Sequence, residues 1–118
     1  MKKIDVVVSY WASEGEKNVD KVLAHFSEDA EFTAPGGMRL DGRGEIRKFY
    51  EGMTGGYASM VVRPTHWIEQ EDFIAVEYDC DMVTHEGEKR FAQGHNFFKI
   101  NPKGEITLLH CYYNPNDF

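Results

Sequence analysis

The stretch Phe73-Ile74-Ala75-Val76-Glu77-Tyr78-Asp79-Cys80-Asp81-Met82-Val83-Thr84 decides the fold class. Ile74, Val76, Tyr78, Cys80 and Met82 alternate with Ala75, Glu77, Asp79 and Asp81, the period of two that belongs to a half-buried strand. The same period holds from about residue 58 to the end of the chain and predicts strands over 59–63, 65–69, 73–84, 89–100 and 105–113. The joints between them carry turn chemistry: residues 69–72, Glu86-Gly87-Glu88 and Asn101-Pro102-Lys103-Gly104.

Upstream the spacing is helical. Ile4, Val7, Val8 and Trp11 follow the i, i+3, i+4, i+7 rule with Tyr10 at the edge of the stripe, although the Val6-Val7-Val8 run also suits a strand. Val19, Val22, Leu23 and Phe26 repeat the spacing behind Asn18, a good N-cap. Ile46, Phe49, Tyr50 and Met53 repeat it again after the breaker-rich Asp41-Gly42-Arg43-Gly44. A short strand at 31–33 stops at Pro35-Gly36-Gly37. Helices followed by a meander indicate an α+β class, with the helices packed on one face of the sheet.

The bulk numbers narrow the function classes. At 118 residues the chain accommodates one domain, 1–118, with no linker, repeat or low-complexity tract. Its formal charge of −7 argues against nucleic acid and anionic membrane surfaces, which both need clustered Lys and Arg. The apolar start at Ile4 is interrupted by Asp5 and is followed by no small-residue cleavage site, unlike a signal peptide. Cys80 and Cys111 sit in apolar strand-like runs without a CxxC, which predicts buried reduced thiols and a cytoplasmic setting. Ile74, Tyr78 and Met82 on one strand and Leu109, Cys111 and Tyr113 on another are expected to line opposite faces. The helices can cover only one face, so a homodimer is expected.

The run Val19-Asp20-Lys21-Val22-Leu23-Ala24-His25-Phe26-Ser27-Glu28-Asp29-Ala30-Glu31-Phe32 resembles the second helix and first strand of the nuclear transport factor 2-like proteins, specifically their ketosteroid isomerase and SnoaL-like polyketide cyclase group. Leu40-Asp41-Gly42-Arg43-Gly44-Glu45-Ile46-Arg47-Lys48-Phe49-Tyr50 resembles the third helix of that group. Residues 96–106 with the Gly104-Glu105-Ile106 turn, and then Tyr112-Tyr113-Asn114-Pro115, resemble its last hairpin. The resemblance implies a cone-shaped, strongly curved antiparallel sheet against three N-terminal helices, enclosing a pocket for a small apolar or aromatic molecule. Because this fold carries isomerases, cyclases, dehydratases and non-catalytic binders, fold alone does not select among them.

In the isomerases of the group a carboxylate base works beside an oxyanion hole of a tyrosine and a protonated aspartic acid. Carried onto this chain, the tyrosine falls on Tyr10, a supporting tyrosine on Tyr50, and the acid on Asn96. The base falls on Ala34, which can move no proton. Tyr10 and Asn96 would still donate neutral hydrogen bonds to a developing oxyanion. For another base, Asp79 and Asp81 are the candidates. Alternation alone puts both in water, whereas the resemblance, ungapped from Asp79 to Ile106, turns them toward the pocket and leaves the apolar row to a partner subunit. Trp11, Phe26, Phe49, Met53, Trp67, Phe98 and Tyr113 are the candidate lining, each equally at home as ordinary core. The five histidines, His25, His66, His85, His95 and His110, form no metal-ligand spacing, and no phosphate-loop lysine follows either glycine cluster. No cofactor is expected. His95 and His110 should point away from Asn96 and Cys111 across the sheet.

Overall fold

The computed structural model describes residues 2–118. The chain opens with α1 (Lys3–Gly15), where burial of Val6, Val7, Tyr10 and Trp11 outweighs the modest helix propensity of the valine run. The buried stripe is rotated from the expected one. Tyr10 lies at its centre, and Val8 stands 45% exposed. Lys17, with φ of 59°, turns the chain out of the helix.

The next helix, α2 (Val19–Leu23), is shorter than its apolar spacing suggested. The Asn18 side chain caps it by accepting from the Lys21 amide at 3.1 Å. At the other end the His25 ring lies 2.7 Å from the Lys21 carbonyl, so the chain leaves the helix there. Phe26 therefore begins β1 (Phe26–Ala34) instead of ending the helix. The Pro35-Gly36-Gly37 turn, with φ of +86° and +79° at its glycines, folds the chain back into a short strand, β2 (Met38–Asp41), that the sequence pattern did not reveal. Then comes α3 (Gly42–Met53), whose Glu45 side chain reaches back to accept from the Asp41 amide at 2.8 Å.

Four long strands follow, β3 (Ser59–Gln70), β4 (Phe73–Val83), β5 (Lys89–Ile100) and β6 (Ile106–Tyr113), and then a 3₁₀ turn over Pro115–Asp117. The two expected strands flanking Pro64 are one strand, because a register shift between Pro64 and His66 absorbs the proline at the sheet's edge. The six strands form one sheet in the order β2-β1-β6-β5-β4-β3. All neighbours are antiparallel except β1 and β6, which run parallel with Phe32 beside Leu109. This is the curved α+β sheet with N-terminal helices that the sequence implied, with one parallel joint where the first long strand meets the last.

Register settles which side chains share a face. Ile74 pairs with Phe98 and Phe98 with Leu109, so β4 and β6 present their apolar rows to the same inner face. The expectation that Ile74, Tyr78 and Met82 oppose Leu109, Cys111 and Tyr113 is thus incorrect. The outer face instead carries Phe73 stacked on Phe97, with centroids 5.1 Å apart, and His95 stacked on Tyr112 at 4.9 Å. As the alternation indicated, His95 and His110 both leave the inner face, and His110 Nε2 meets Glu31 at 2.7 Å. On the inner side α1 packs across β3, and α3 across β1.

Gly94 on β5 is required by a close approach. A Cβ there would lie 2.6 Å from the Tyr112 carbonyl oxygen and 2.7 Å from the Tyr78 hydroxyl, and the carbonyl cannot yield. Gly44 in α3 has open space around its absent side chain. Gly94→Ala should therefore lower unfolding free energy by about 2 kcal/mol through overpacking. Gly44→Ala should raise it by about 0.5–1 kcal/mol through helix propensity. Urea unfolding of both variants checks the opposite signs.

Candidate functional site

Between the helices and the inner face of the sheet lies a cavity of about 390 Å³. From α1 it receives Tyr10, Trp11 and Glu14; from α3, Phe49, Tyr50 and Met53. The floor is built by Tyr78 and Cys80 of β4, Asn96 of β5 and Cys111 of β6. Met60, Val62 and Phe32 close the sides, while Tyr57, Tyr113 and Phe118 complete the lining. The surface is mostly apolar, with a few polar groups converging, the usual composition of a small-molecule site.

The polar groups centre on the contact between Tyr10 of α1 and Tyr50 of α3. The Tyr10 and Tyr50 hydroxyls are hydrogen-bonded to each other, and Tyr10 donates to Glu14 Oε2 at 3.1 Å. Tyr10 and Glu14 are four residues apart, one turn along the same face of α1. Asn96 is buried in the cavity lining, and its Oδ1 has no hydrogen-bond partner among the described residues. A buried amide left in this state is costly unless something else bonds to it, and rotation about its last torsion presents either its oxygen or its NH₂ to a ligand.

Glu14 is the functional group that the sequence reading missed. It lines the cavity and is only partly exposed, with its carboxyl against the Tyr10 hydroxyl. Desolvation pushes its pKa up to about 7, against the opposing pull of the Tyr50 and Tyr10 hydroxyls. Burial, followed by the nearby Glu14 charge, holds both tyrosines well above their usual range, so they stay protonated donors. Desolvation raises Cys80 to about 12 and pushes Cys111 higher still. Both thiols therefore stay protonated near neutrality and make poor nucleophiles. The available signal for Glu14 was its i, i+4 spacing from Tyr10, but an acidic residue near a helix end ordinarily reads as solvated surface.

The remaining expected site residues divide cleanly. Tyr10, Trp11, Phe49, Tyr50, Met53, Asn96 and Tyr113 all reach the cavity. Phe26 and Phe98 are fully buried and support Tyr10 from behind, with ring centroids 5.5 and 6.0 Å away. Ala34 lines a separate depression with Pro35 and Tyr112, which shares Cys111 and Tyr113 with the main cavity. Trp67 is 46% exposed beyond the lining, on the edge strand after the register shift. Asp79 and Asp81 lie on the outer face. Asp79 accepts from Gln93 at 2.9 Å and Asp81 pairs with Arg63 at 2.7 Å. The pocket placement of these two acids is therefore incorrect: the apolar residues between them take the inner face, so alternation turns the acids out.

A SnoaL-like domain model matches residues 7–109, and the chain belongs to that family. No curated protein matches it. Among solved structures it is similar to a polyketide cyclase candidate from Xanthomonas campestris pv. campestris, at 23% identity and a TM-score of 0.83, covering 97% of this chain and 91% of that one. It also resembles SalBIII, an epoxide hydrolase/cyclase-like enzyme in pyran ring formation of the polyether salinomycin, at 20% identity and a TM-score of 0.82, with 98% and 92% covered. A third is a protein of ketosteroid isomerase-like fold from Catenulispora acidiphila in complex with trimethylamine, at 16% identity and a TM-score of 0.85, with 96% and 88% covered. These likenesses establish the fold.

Glu14 makes stability depend on pH with a definite sign. Its folded pKa of about 7 lies above the ordinary 4.5, so the folded state holds more protons between those values. Its contribution to stability is therefore greatest at low pH and declines as pH rises through that window. Relative to wild type, Glu14→Gln should gain about 2 kcal/mol of stability between pH 5 and pH 8. Chemical denaturation at the two pH values reads this difference.

Proposed function

We propose that this SnoaL-like protein binds a small, mostly apolar, carbonyl-bearing molecule and promotes proton transfer next to the carbonyl, as in isomerisation, cyclisation or dehydration. The observation carrying the proposal is that the Tyr10–Tyr50 hydroxyl pair and buried Asn96 line one aromatic-walled cavity. In this reading the ligand's apolar body lies against Trp11, Phe49 and Met53. Its oxygen accepts from Asn96 or Tyr10, where a developing negative charge would be stabilised. The similarity to cyclase-type proteins agrees with this class of chemistry, and the trimethylamine complex agrees with a ligand-holding cavity.

Ala34 at the position of the family's base supports a second reading, in which the pocket holds its ligand without transforming it. Both readings require the cavity to bind. Using a neutral phenol such as 2-naphthol as probe, Tyr10→Phe should weaken binding about fivefold, the loss of one net hydrogen bond. Tyr112→Phe should leave it unchanged, because Tyr112 stacks on His95 outside the cavity. Calorimetry showing equal effects would contradict the assigned ligand position.

The reading also includes a homodimer joined through the outer face of the sheet. Phe91 and Val61 there, flanking Asp81, are each 52% exposed, and Tyr112 is 48% exposed toward the end that carries the Phe73–Phe97 stack. Apolar surface gathered on one face is a liability for a lone subunit. Sedimentation velocity at micromolar concentration should report a dimer for wild type and a monomer for Phe97→Glu. A wild-type monomer would overturn this part of the reading.

A further inference from the structure

We propose that Glu14 is the catalytic proton acceptor of this cavity, removing a proton from the carbon next to the carbonyl of a neutral ketone or related substrate. This rests on the carbonyl-ligand reading above and assigns the base that Ala34 cannot supply.

Three observations on the molecule lead here. The first is position: Glu14 lines the cavity and accepts from Tyr10, so base and oxyanion donor share one wall. The second is that no Lys or Arg among the described residues lines the cavity, so Glu14 is not held there as half of an ion pair with one of them. Lys17, nearby in the chain, donates to the Tyr57 carbonyl. The third is cost. Glu14 sits in the last turn of α1, which contains no basic residue, and there the helix dipole disfavours a negative charge. Desolvation disfavours it further. A leucine or glutamine would fold better at that site, and an ionisable group kept against such costs marks a candidate for function.

The groups surrounding the carboxyl suit this role. Tyr10 of α1 and Tyr50 of α3 are held protonated, as are Cys80 and Tyr78 of β4 and Cys111 of β6. Among the described cavity-lining residues Glu14 is the side-chain carboxylic acid, raised toward neutrality, where a general base works best. The step balances without any co-reactant. The carboxylate takes the proton as the C–H bond breaks, and that electron pair forms the carbon–carbon double bond of an enolate. The carbonyl π pair moves onto oxygen, which accepts from the Asn96 amide. Once protonated, Glu14 no longer draws the Tyr10 hydrogen bond, and that O–H can turn to the oxyanion. Return of the proton to the α-carbon gives exchange; return to the γ-carbon gives the conjugated isomer. A substrate that is itself an anion is disfavoured, because the cavity is lined by an acid and by no Lys or Arg among the described residues.

The test uses the whole chain and cyclohex-3-en-1-one, a small β,γ-unsaturated ketone. Binding is measured by calorimetry, and deuterium uptake and conjugation in D₂O by NMR. Wild type should accelerate exchange over buffer, with a rate that rises through a midpoint near the Glu14 value of about 7. Glu14→Gln should lower that rate by about 10²–10⁴-fold and abolish its pH dependence, with ketone affinity changed by less than about threefold. Glu14→Asp should recover part of the rate. If wild type and Glu14→Gln bind the ketone and exchange it equally, or neither exceeds buffer, Glu14 is not the base and the binding reading survives. If wild type does not bind the ketone, the carbonyl-ligand reading falls and this proposal with it. A ¹³C carboxyl titration of unmutated protein guards against a variant that fails to fold. A Glu14 midpoint in the ordinary range near about 4.3 would overturn the proposal independently.

Discussion

A phenolic hydroxyl buried without a partner costs on the order of 1–3 kcal/mol, and this fold buries two at one place. Tyr10 of α1 and Tyr50 of α3 answer each other's need by bonding hydroxyl to hydroxyl. The rings have little freedom to do otherwise. Tyr10 stands edge-on to Phe26, Phe98 and Tyr50 with centroids 5.5–6.4 Å apart, and Phe32 and Phe49 press on Tyr50. Aromatic side chains with two torsions, packed on several sides, place their polar tips with small tolerance. Tyr10 then fixes the direction in which Glu14 finds its donor. The strand order supports the same arrangement from below, since the parallel β1–β6 joint brings Phe32 and Leu109 side by side under α3.

The cavity follows from this framework. Rings held in edge contacts cannot collapse into the space that they surround, so about 390 Å³ remains in a chain of 118 residues. A small domain has little core to spare, and empty lined volume forfeits dispersion contacts on one side of every wall atom. Asn96 adds an unanswered buried oxygen, and Glu14 a desolvated acid. The oxygen and the acid each depart from the most stable choice at their positions, and both residues line the same volume. That coincidence is hard to reconcile with a cavity left by imperfect packing alone.

Much of the architecture was legible because it rests on periodicity and turn chemistry. The alternation of residues 73–84 gave β4, and Asn18 marked the start of α2. Tyr10, Tyr50 and Asn96 were reachable through the resemblance in their surroundings, and the structure brings them to one cavity. Other features depended on information that no local pattern holds. Phe26 fits the spacing of a helix that His25 ends early. Tyr78 and Tyr113 share a face only because both strands register through β5. Asp79 and Asp81 were the more conspicuous acids, lying in a clear strand, yet the inner face had already been claimed by Tyr78, Cys80 and Met82. Glu14 was obscure for the opposite reason: its significance comes from what surrounds it in space, and at a helix end its neighbours in sequence are polar.

Placing an acid on the same helix as its hydrogen-bond donor has an electrostatic consequence distinct from placing it on a strand. Tyr10 has one hydroxyl proton, so the Glu14 carboxylate and a ligand oxyanion compete for it. Two negative charges about 4 Å apart repel by roughly 4 kcal/mol at the effective dielectric of a partly buried site. The cavity therefore tolerates one negative charge and resists two. Transferring a proton from a neutral ligand to Glu14 leaves that total unchanged. The charge moves from carboxylate to ligand oxygen, the Tyr10 donor can follow it, and the surrounding dipoles need little rearrangement. Binding an anion would instead add a second charge to a space lined by no Lys or Arg among the described residues. Under the proposed chemistry, charge is conserved within the cavity by neutral substrates that become anionic only in the transition state.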